Sequence, residues 1–96
     1  MNKTNILKIL EKLQNQALLE FRAQIKGIFG SYVRAEHTTQ SDVDVLVEFT
    51  PEADLFDFIG LSNLLEEKLN CPVDLVPIDA IREELKTRIL EEAEYI

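Results

Sequence analysis

GSYVRAEHTTQSDVD, residues 30 to 44, joins a Gly-Ser pair to an Asp-Val-Asp triplet through a spacer of ten residues. The apolar run VDVLVEF at 43–49 overlaps the triplet and predicts a β-strand. Because side chains two residues apart on a strand share a face, Asp42 and Asp44 are expected to lie side by side. Without a cation one carboxylate would have to hold a proton, whereas a divalent ion neutralises both. The triplet therefore predicts a Mg2+ site.

Gly30 and Ser31 follow the run IKGIF at 25–29, which predicts the preceding strand. A glycine at this strand end permits close backbone approach, and Ser31 would open a short helix whose free N–H groups face a phosphate. Arg34 lies one helical turn beyond Ser31. It is expected either to reach a phosphate or to hold Asp42 by a charge-assisted hydrogen bond. A surface ion pair is the alternative for Arg34.

Asp74 is the candidate for a third acid. It lies in PVDLV at 72–76, whose apolar neighbours predict a buried, central strand. An acid in such a strand is costly unless it has a partner, so Asp74 is expected to complete a two-metal site. An ion pair with Arg34 or Arg82, or a bond from a backbone N–H, is the alternative.

The Gly-Ser pair, the spacer of ten residues, the Asp-x-Asp triplet and the later strand acid resemble the polymerase-beta-like nucleotidyltransferase superfamily, in particular its minimal (MNT) members. The resemblance covers nearly the whole chain, including the stretch from Leu55 through Asp74 and the acidic tail ending Glu94-Tyr95-Ile96. One position departs, because many relatives have a glycine where this chain has Ala35. Alanine accepts a helical but not a left-handed conformation, so the helix is expected to continue past Ala35.

The resemblance implies a Mg-dependent nucleotidyltransferase with the polymerase-beta-like nucleotidyltransferase fold. It implies catalysis and binding of two Mg2+ ions by Asp42, Asp44 and Asp74, and nucleotide binding by Gly30, Ser31 and Arg34. MNT proteins are typically antitoxins of HEPN toxins. The resemblance thus implies transfer of AMP from ATP to a hydroxyl group of a partner HEPN ribonuclease toxin. In the family this acceptor resembles a tyrosine. Two alternatives stay open: an antitoxin that neutralises by binding alone, and a nucleotidyltransferase acting on a small molecule.

Charge and composition limit the partners. The chain has 96 residues, 46% hydrophobic and 29% charged, with 18 acids against 10 bases and a net charge of −8. Such a field opposes direct binding of nucleic acid and suits a basic protein surface. Cys71 is the single cysteine, which excludes an internal disulfide, and the N-terminus shows no leader or membrane segment. A cytoplasmic protein is expected.

Hydrophobic periodicity and turn residues predict the order α, β, α, β, α, β, α. The predicted elements are the helix 5–20 with Thr4 as N-cap, the strand 25–29, the short helix 32–36, the strand 43–49, the helix 54–69, the strand 73–76 and a final helix capped by Asp79. We expect one domain over 1–96 of the α/β (α+β) class. It would have a small mixed sheet, helices packed mainly on one face and the three acids meeting at one place.

Other side chains receive simpler interpretations. The stripe of helix 54–69, which includes Phe56 and Ile59, predicts core packing, and Phe58 is expected in the core as well. His37 is expected to be a solvated loop residue and not a catalytic base. With no residues for a second lobe, the acceptor surface is expected on a partner. Nucleotide preference, acceptor residue, stoichiometry and homo- or hetero-oligomeric state stay open.

Overall fold

Four strands form one mixed sheet. The computed structural model describes residues 1–96 and contains β1 (Ala23–Phe29), β2 (Val43–Phe49), β3 (Val73–Pro77) and β4 (Glu94–Tyr95). Their order in the sheet is β3-β2-β1-β4; β1 is antiparallel to β2 and β4, whereas β2 and β3 are parallel. The mixed sheet confirms the predicted fold class. The short β4 was not predicted, because two residues carry no alternation that sequence can reveal.

The first helix, α1 (Lys3–Phe21), has the buried stripe that its sequence predicts. Ile6, Leu10, Leu13 and Ala17 are its buried residues. Asn2, not Thr4, is the N-cap, because its side chain accepts a hydrogen bond from the backbone N–H of Asn5. Arg22 ends the helix in a left-handed conformation and leads directly into β1.

The second helix, α2 (Leu55–Leu69), begins with a capping box between Asp54 and Asp57. Leu61, Leu65 and Leu69 point into the core. The prediction that Phe56 and Ile59 are core residues is wrong, since both are exposed. The buried stripe of α2 continues from Leu61 toward its C-terminus, whereas Leu55, Phe56 and Ile59 in the first two turns face outward. Phe58 is half-buried and packs against the core.

The core lies between one face of the sheet and the helices α1 and α2. Val43, Val45 and Val47 alternate along β2 toward this core and are fully buried. Leu46 points to the opposite face and is also fully buried. Two of the three helices thus pack on one face, as predicted, and β2 is a firmly held central strand.

The third helix, α3 (Glu83–Glu92), contacts β1 and precedes β4. The prediction that Asp79 caps it is wrong. Asp79 lies in a 3-10 turn, Ile78–Ala80, and α3 begins after Arg82 without a side-chain cap. The chain then returns to the sheet, where the N–H of Ile96 donates to the carbonyl of Lys26. None of the three helices has the length and apolar character needed to cross a membrane.

Candidate active site

Asp44 and Asp74 lie side by side on neighbouring strands. The parallel pairing of β2 with β3 places Asp44 opposite Asp74, and paired positions of parallel strands direct their side chains to the same face. Both neighbours of Asp44, Val43 and Val45, are buried in the core, so its carboxylate emerges on the other face, where it is half-buried. The predicted meeting of these two acids is therefore present.

Asp74 does not occupy the buried, central strand that its apolar neighbours predict. β3 pairs only with β2 and forms one edge of the sheet, and Asp74 is exposed. Leu75 alone of this strand is buried. An edge strand with one covered face has the same apolar composition over five residues as a central one, which explains the wrong prediction. The exposure leaves Asp74 accessible to a ligand.

Asp42 immediately precedes β2 and is exposed. Its negative charge is one of the causes that raise the pKa of Asp44. The three acids share one region, but no group of three or more His, Cys, Asp or Glu side chains stands at the spacing of a complete metal-ligand set. Asp44 and Asp74 form the centre of the site, and Asp42 stands at its edge.

Burial is the main reason that the pKa of Asp44 rises to about 6, and the charge of Asp74 and a hydrogen bond shared with it add to the effect. The charges of Asp42 and Arg34 act in opposite directions, the first raising and the second lowering this pKa. Two carboxylates that share a proton in this way form a site that gains from a cation.

We expect Asp44→Asn to raise the melting temperature of the metal-free protein at pH 7 and to leave it nearly unchanged at pH 4. The folded state holds the Asp44 proton up to about pH 6, whereas the unfolded state releases it near 3.8. The stability contributed by protonated Asp44 is therefore fully present below pH 3.8 and is lost as the pH rises through about 6. Thermal unfolding of both proteins at the two pH values tests this. An equal gain at both would contradict the origin of the raised pKa.

Gly30 stands directly over Asp44. It has a φ of +80°, and a methyl group at its Cα would overlap Asp44 Oδ2 and lie 3.1 Å from its Cγ. Phe29, the last residue of β1, is the register partner of Asp44, which brings the turn and the acid together. The glycine is thus required both by backbone conformation and by space. This close packing of Gly30 on Asp44 brings the Gly-Ser pair directly beside the aspartates.

The turn after Gly30 is shorter than predicted. It is a 3-10 turn, Gly30–Tyr32, in place of the helix 32–36, with Ser31 half-buried inside it. The carbonyl of Gly30 accepts hydrogen bonds from the backbone N–H groups of Val33 and Arg34. The carbonyl of Ser31 accepts one from the backbone N–H of Glu36. The segment forms a compact turn beside the acids, where Ser31 remains a candidate for nucleotide binding.

Ala35 takes a left-handed conformation, with a φ of +59°. The prediction that the helix continues past Ala35 is wrong, because the chain must turn here toward the loop that leads to Asp42. An alanine in this conformation costs roughly 1 to 2 kcal/mol relative to a relaxed backbone. A glycine at this place would avoid the cost.

We expect Ala35→Gly to stabilise the protein by about 1 kcal/mol, since glycine adopts a positive φ without strain. Part of the gain is offset by the larger conformational entropy of glycine in the unfolded chain. Chemical unfolding measures the difference. A loss of stability would show that Ala35 is not strained in solution.

Arg34 is held by two carboxylates. Its Nε donates to Glu36 Oε1 at 3.0 Å, and its Nη1 donates to Glu92 Oε1 at 2.6 Å. These bonds raise the pKa of the guanidinium, the bond to Glu36 most. Arg34 contacts neither Asp42 nor another acid of the triplet, although its charge reaches Asp44. Three of its five N–H donors remain for a phosphate.

Glu92 is a site residue that sequence reasoning missed. It is the last residue of α3 and lies 58 positions from Arg34 in the chain. Nothing in the acidic run of α3 distinguishes Glu92 from Glu91, which has no such partner. Only the packing of α3 against β1 brings it to the turn.

His37 is not the solvated residue that its polar surroundings predict. Its ring stacks on Tyr32 with a centroid distance of 4.1 Å and is half-buried, and its Nδ1 has no hydrogen-bond partner. Burial raises the pKa of the Tyr32 hydroxyl. The stacked pair packs the loop between the turn and Asp42, which is a structural role.

The mixed sheet holds two paired strand acids beneath a glycine turn. The model of the nucleotidyltransferase domain family matches residues 5–96. The chain belongs to this family.

Curated relatives agree with that assignment. Protein adenylyltransferase MntA of Thermococcus cleftensis is 41% identical over 73% of this chain and 71% of its own length. MJ0435 of Methanocaldococcus jannaschii, a candidate protein adenylyltransferase, is 43% identical over 79% of this chain and 82% of its own length. The relatives thus share the domain over most of both chains.

Solved structures show the same fold. One, described as a candidate minimal nucleotidyltransferase, superposes with a TM-score of 0.84 and 28% identity and covers 100% of this chain and 97% of that chain. A chain of a toxin–antitoxin crystal structure with AMP-PNP superposes with a TM-score of 0.69, 23% identity and coverage of 99% and 72%. At that identity the second likeness concerns the fold alone.

Proposed function

We propose that this nucleotidyltransferase is an antitoxin-type protein adenylyltransferase that transfers AMP from ATP to a hydroxyl, that of a tyrosine, on a HEPN ribonuclease toxin in the cytoplasm. Relatives named protein adenylyltransferase, among them MntA of Thermococcus cleftensis, support the reaction class. The net charge of −8 supports a basic protein as acceptor in preference to nucleic acid. Addition of AMP would silence the ribonuclease by blocking its active site.

The single observation that carries the proposal is the pairing of Asp44 and Asp74 beneath Gly30. A protein that only binds has no need for two neighbouring carboxylates, because like charges side by side disfavour each other's ionised form. Burial first, and then the charge of Asp74, raise the pKa of Asp44 to about 6, so an ionised carboxylate at this place costs stability. Groups held at a cost in stability are typical of catalytic sites.

The donor set fits magnesium. Carboxylate oxygens are the ligands that Mg2+ prefers, and Asp42, Asp44 and Asp74 would hold two such ions. Bound Mg2+ would neutralise the phosphate oxygens and stabilise the charge that develops during transfer. The clustering of negative charge around Asp44 supports this assignment, since ATP could not otherwise approach the acids.

The chain's own residues orient the reactants. Gly30 and Ser31 would seat the β- and γ-phosphates on the turn, and the free N–H donors of Arg34 would bind a phosphate while Glu36 and Glu92 keep the guanidinium in place. Catalysis of this kind is mainly positioning and charge neutralisation.

Asp74 would assist the attack. The acceptor oxygen forms a bond to the α-phosphorus while the bond from that phosphorus to the bridging oxygen of the β-phosphate breaks, and pyrophosphate leaves. The proton of the acceptor hydroxyl passes to the exposed carboxylate of Asp74. The product is a phosphodiester between AMP and the acceptor side chain.

Differently labelled ATP tests the reaction. The chain and its HEPN partner are incubated with Mg2+ and either α- or γ-phosphorus-labelled ATP, and the protein is separated from free nucleotide. We expect label on the partner only from the α position. Label from the γ position would indicate a kinase, and absence of both labels would contradict nucleotidyl transfer to this partner.

A binding-only antitoxin is the second candidate function. Phe56 and Leu19 are 83% and 82% exposed, which favours a protein-binding surface. Expression of the toxin with either the native chain or Asp44→Asn separates the two functions. Protection by the native chain alone supports adenylylation, whereas equal protection by both supports neutralisation by binding.

A further inference from the structure

Large apolar side chains are exposed together on α1 and α2. Five of the eight large exposed hydrophobic residues belong to the last turns of α1 or the first turns of α2: Leu18, Leu19, Leu55, Phe56 and Ile59. Leu55 and Phe56 lie four and three positions before Ile59, so all three share one face of α2. We call these five residues the apolar end.

The two helices meet at this end. The ring of Phe21 lies against Gly60, and Arg22 Nη1 donates to Asp57 Oδ2 at 3.2 Å. A groove beside Leu18 and a second groove beside Leu55 share the lining residues 49–51. The end of α1 and the start of α2 therefore lie together, with Leu18 and Leu55 beside adjoining grooves.

The apolar end is remote from the acids. α1 leads into Ala23, which pairs with Phe49, whereas Asp44 pairs with Phe29 at the other end of β1. The five residue steps from Asp44 to Phe49 span about 17 Å of strand. A molecule bound at the apolar end leaves Asp44 and Asp74 uncovered.

The charge around the apolar end is negative. Exposed acids line or adjoin the two grooves: Glu20, Glu48, Glu52, Asp54 and Asp79. Of the nearby cations, Arg22 is paired with Asp57 and Lys26 with Glu48, and Lys86 beside Glu48 and Asp79 leaves the border acidic overall. A second copy of this chain, with its net charge of −8, would place acids against acids. The surface fits a partner whose apolar patch is bordered by Lys and Arg.

We infer that the apolar end is the surface by which the chain holds its partner protein, separately from the site that modifies it. The occupant is a protein with an apolar patch inside a basic border; that it is the HEPN toxin rests on the proposed function. Phe56, the most exposed of the five at 83%, is the anchor, since aromatic residues are enriched at the core of protein interfaces.

Purified variants and the HEPN partner test the inference. We expect Phe56→Ala to weaken binding of the partner roughly 30-fold, as for an aromatic anchor. The KM for the partner should rise, while kcat at saturating partner and the Kd for AMP-PNP remain native, because the site is remote. Leu85→Ala, which truncates an exposed leucine of α3 outside this surface, is the matched control and should bind as the native chain.

Charge reversal tests the basic border. Glu52→Lys with Glu20→Lys should weaken binding about tenfold and reduce its dependence on salt. Native affinity in Phe56→Ala, or in the charge-reversed variant, would overturn the inference. So would sedimentation showing that the native chain dimerises and Phe56→Ala does not. Weaker binding by Phe56→Ala without any AMP transfer by the native chain would reject the proposed function and retain the holding surface.

Discussion

Asp44→Asn is expected to reduce AMP transfer by about 10³-fold or more while leaving the fold intact. The substitution keeps the size of the side chain but removes the carboxylate that lies opposite Asp74 and would bind Mg2+. Initial rates of AMP incorporation into the partner measure the loss, and circular dichroism checks the fold.

Glu48→Gln is the matched control for Asp44→Asn. Glu48 lies on the same strand and the same face, four residues along, and is exposed. Removing its charge should change kcat at saturating partner less than twofold, because Glu48 is remote from Asp74. A rate near native in Asp44→Asn, or an equal loss in Glu48→Gln, would show that the acids of the site are misassigned.

Gly30→Ala has the second largest expected effect, a loss of transfer of about 10²-fold, the scale expected for a misplacement of about 1 Å at a reacting centre. The new methyl group would overlap Asp44 Oδ2 and force the carboxylate away from its place beside Asp74. The positive φ at this position adds backbone strain, so a stability loss of roughly 1 kcal/mol or more should accompany it.

Gly60→Ala separates the loss of activity from the loss of stability. Its methyl group would overlap the Phe21 ring, far from the acids, and lie 2.9 Å from Phe21 Cδ1. We expect a stability cost of similar size in Gly60→Ala but transfer close to native under conditions where the protein is folded. If Gly30→Ala retained native kcat, Gly30 would serve the fold and not the site.

The sequence predicts the long elements well because their signals are local. The stripe from Ile6 to Ala17 and the alternating valines of β2 each repeat over enough residues to define a buried face. The likeness of the Gly-Ser pair and Asp-x-Asp triplet to a known superfamily indicated which acids would meet, and the register of β2 with β3 brings Asp44 and Asp74 together.

Features that depend on tertiary packing could not be predicted. Phe56 and Ile59 fit the periodicity of a core helix, but the position of α2 against α1 buries its later turns and exposes its first ones. The bond between Arg34 and Glu92 joins residues that no local pattern relates. The left-handed Ala35 contradicts residue preference, since the turn geometry around the site overrides it.

The most direct test of AMP transfer is the intact mass of the partner that co-purifies with this chain, measured before and after incubation with ATP and Mg2+. We expect the partner to gain whole AMP units with the native chain and none with Asp44→Asn, although both chains bind it. A partner that stays bound with unchanged mass in both reactions would contradict adenylyl transfer.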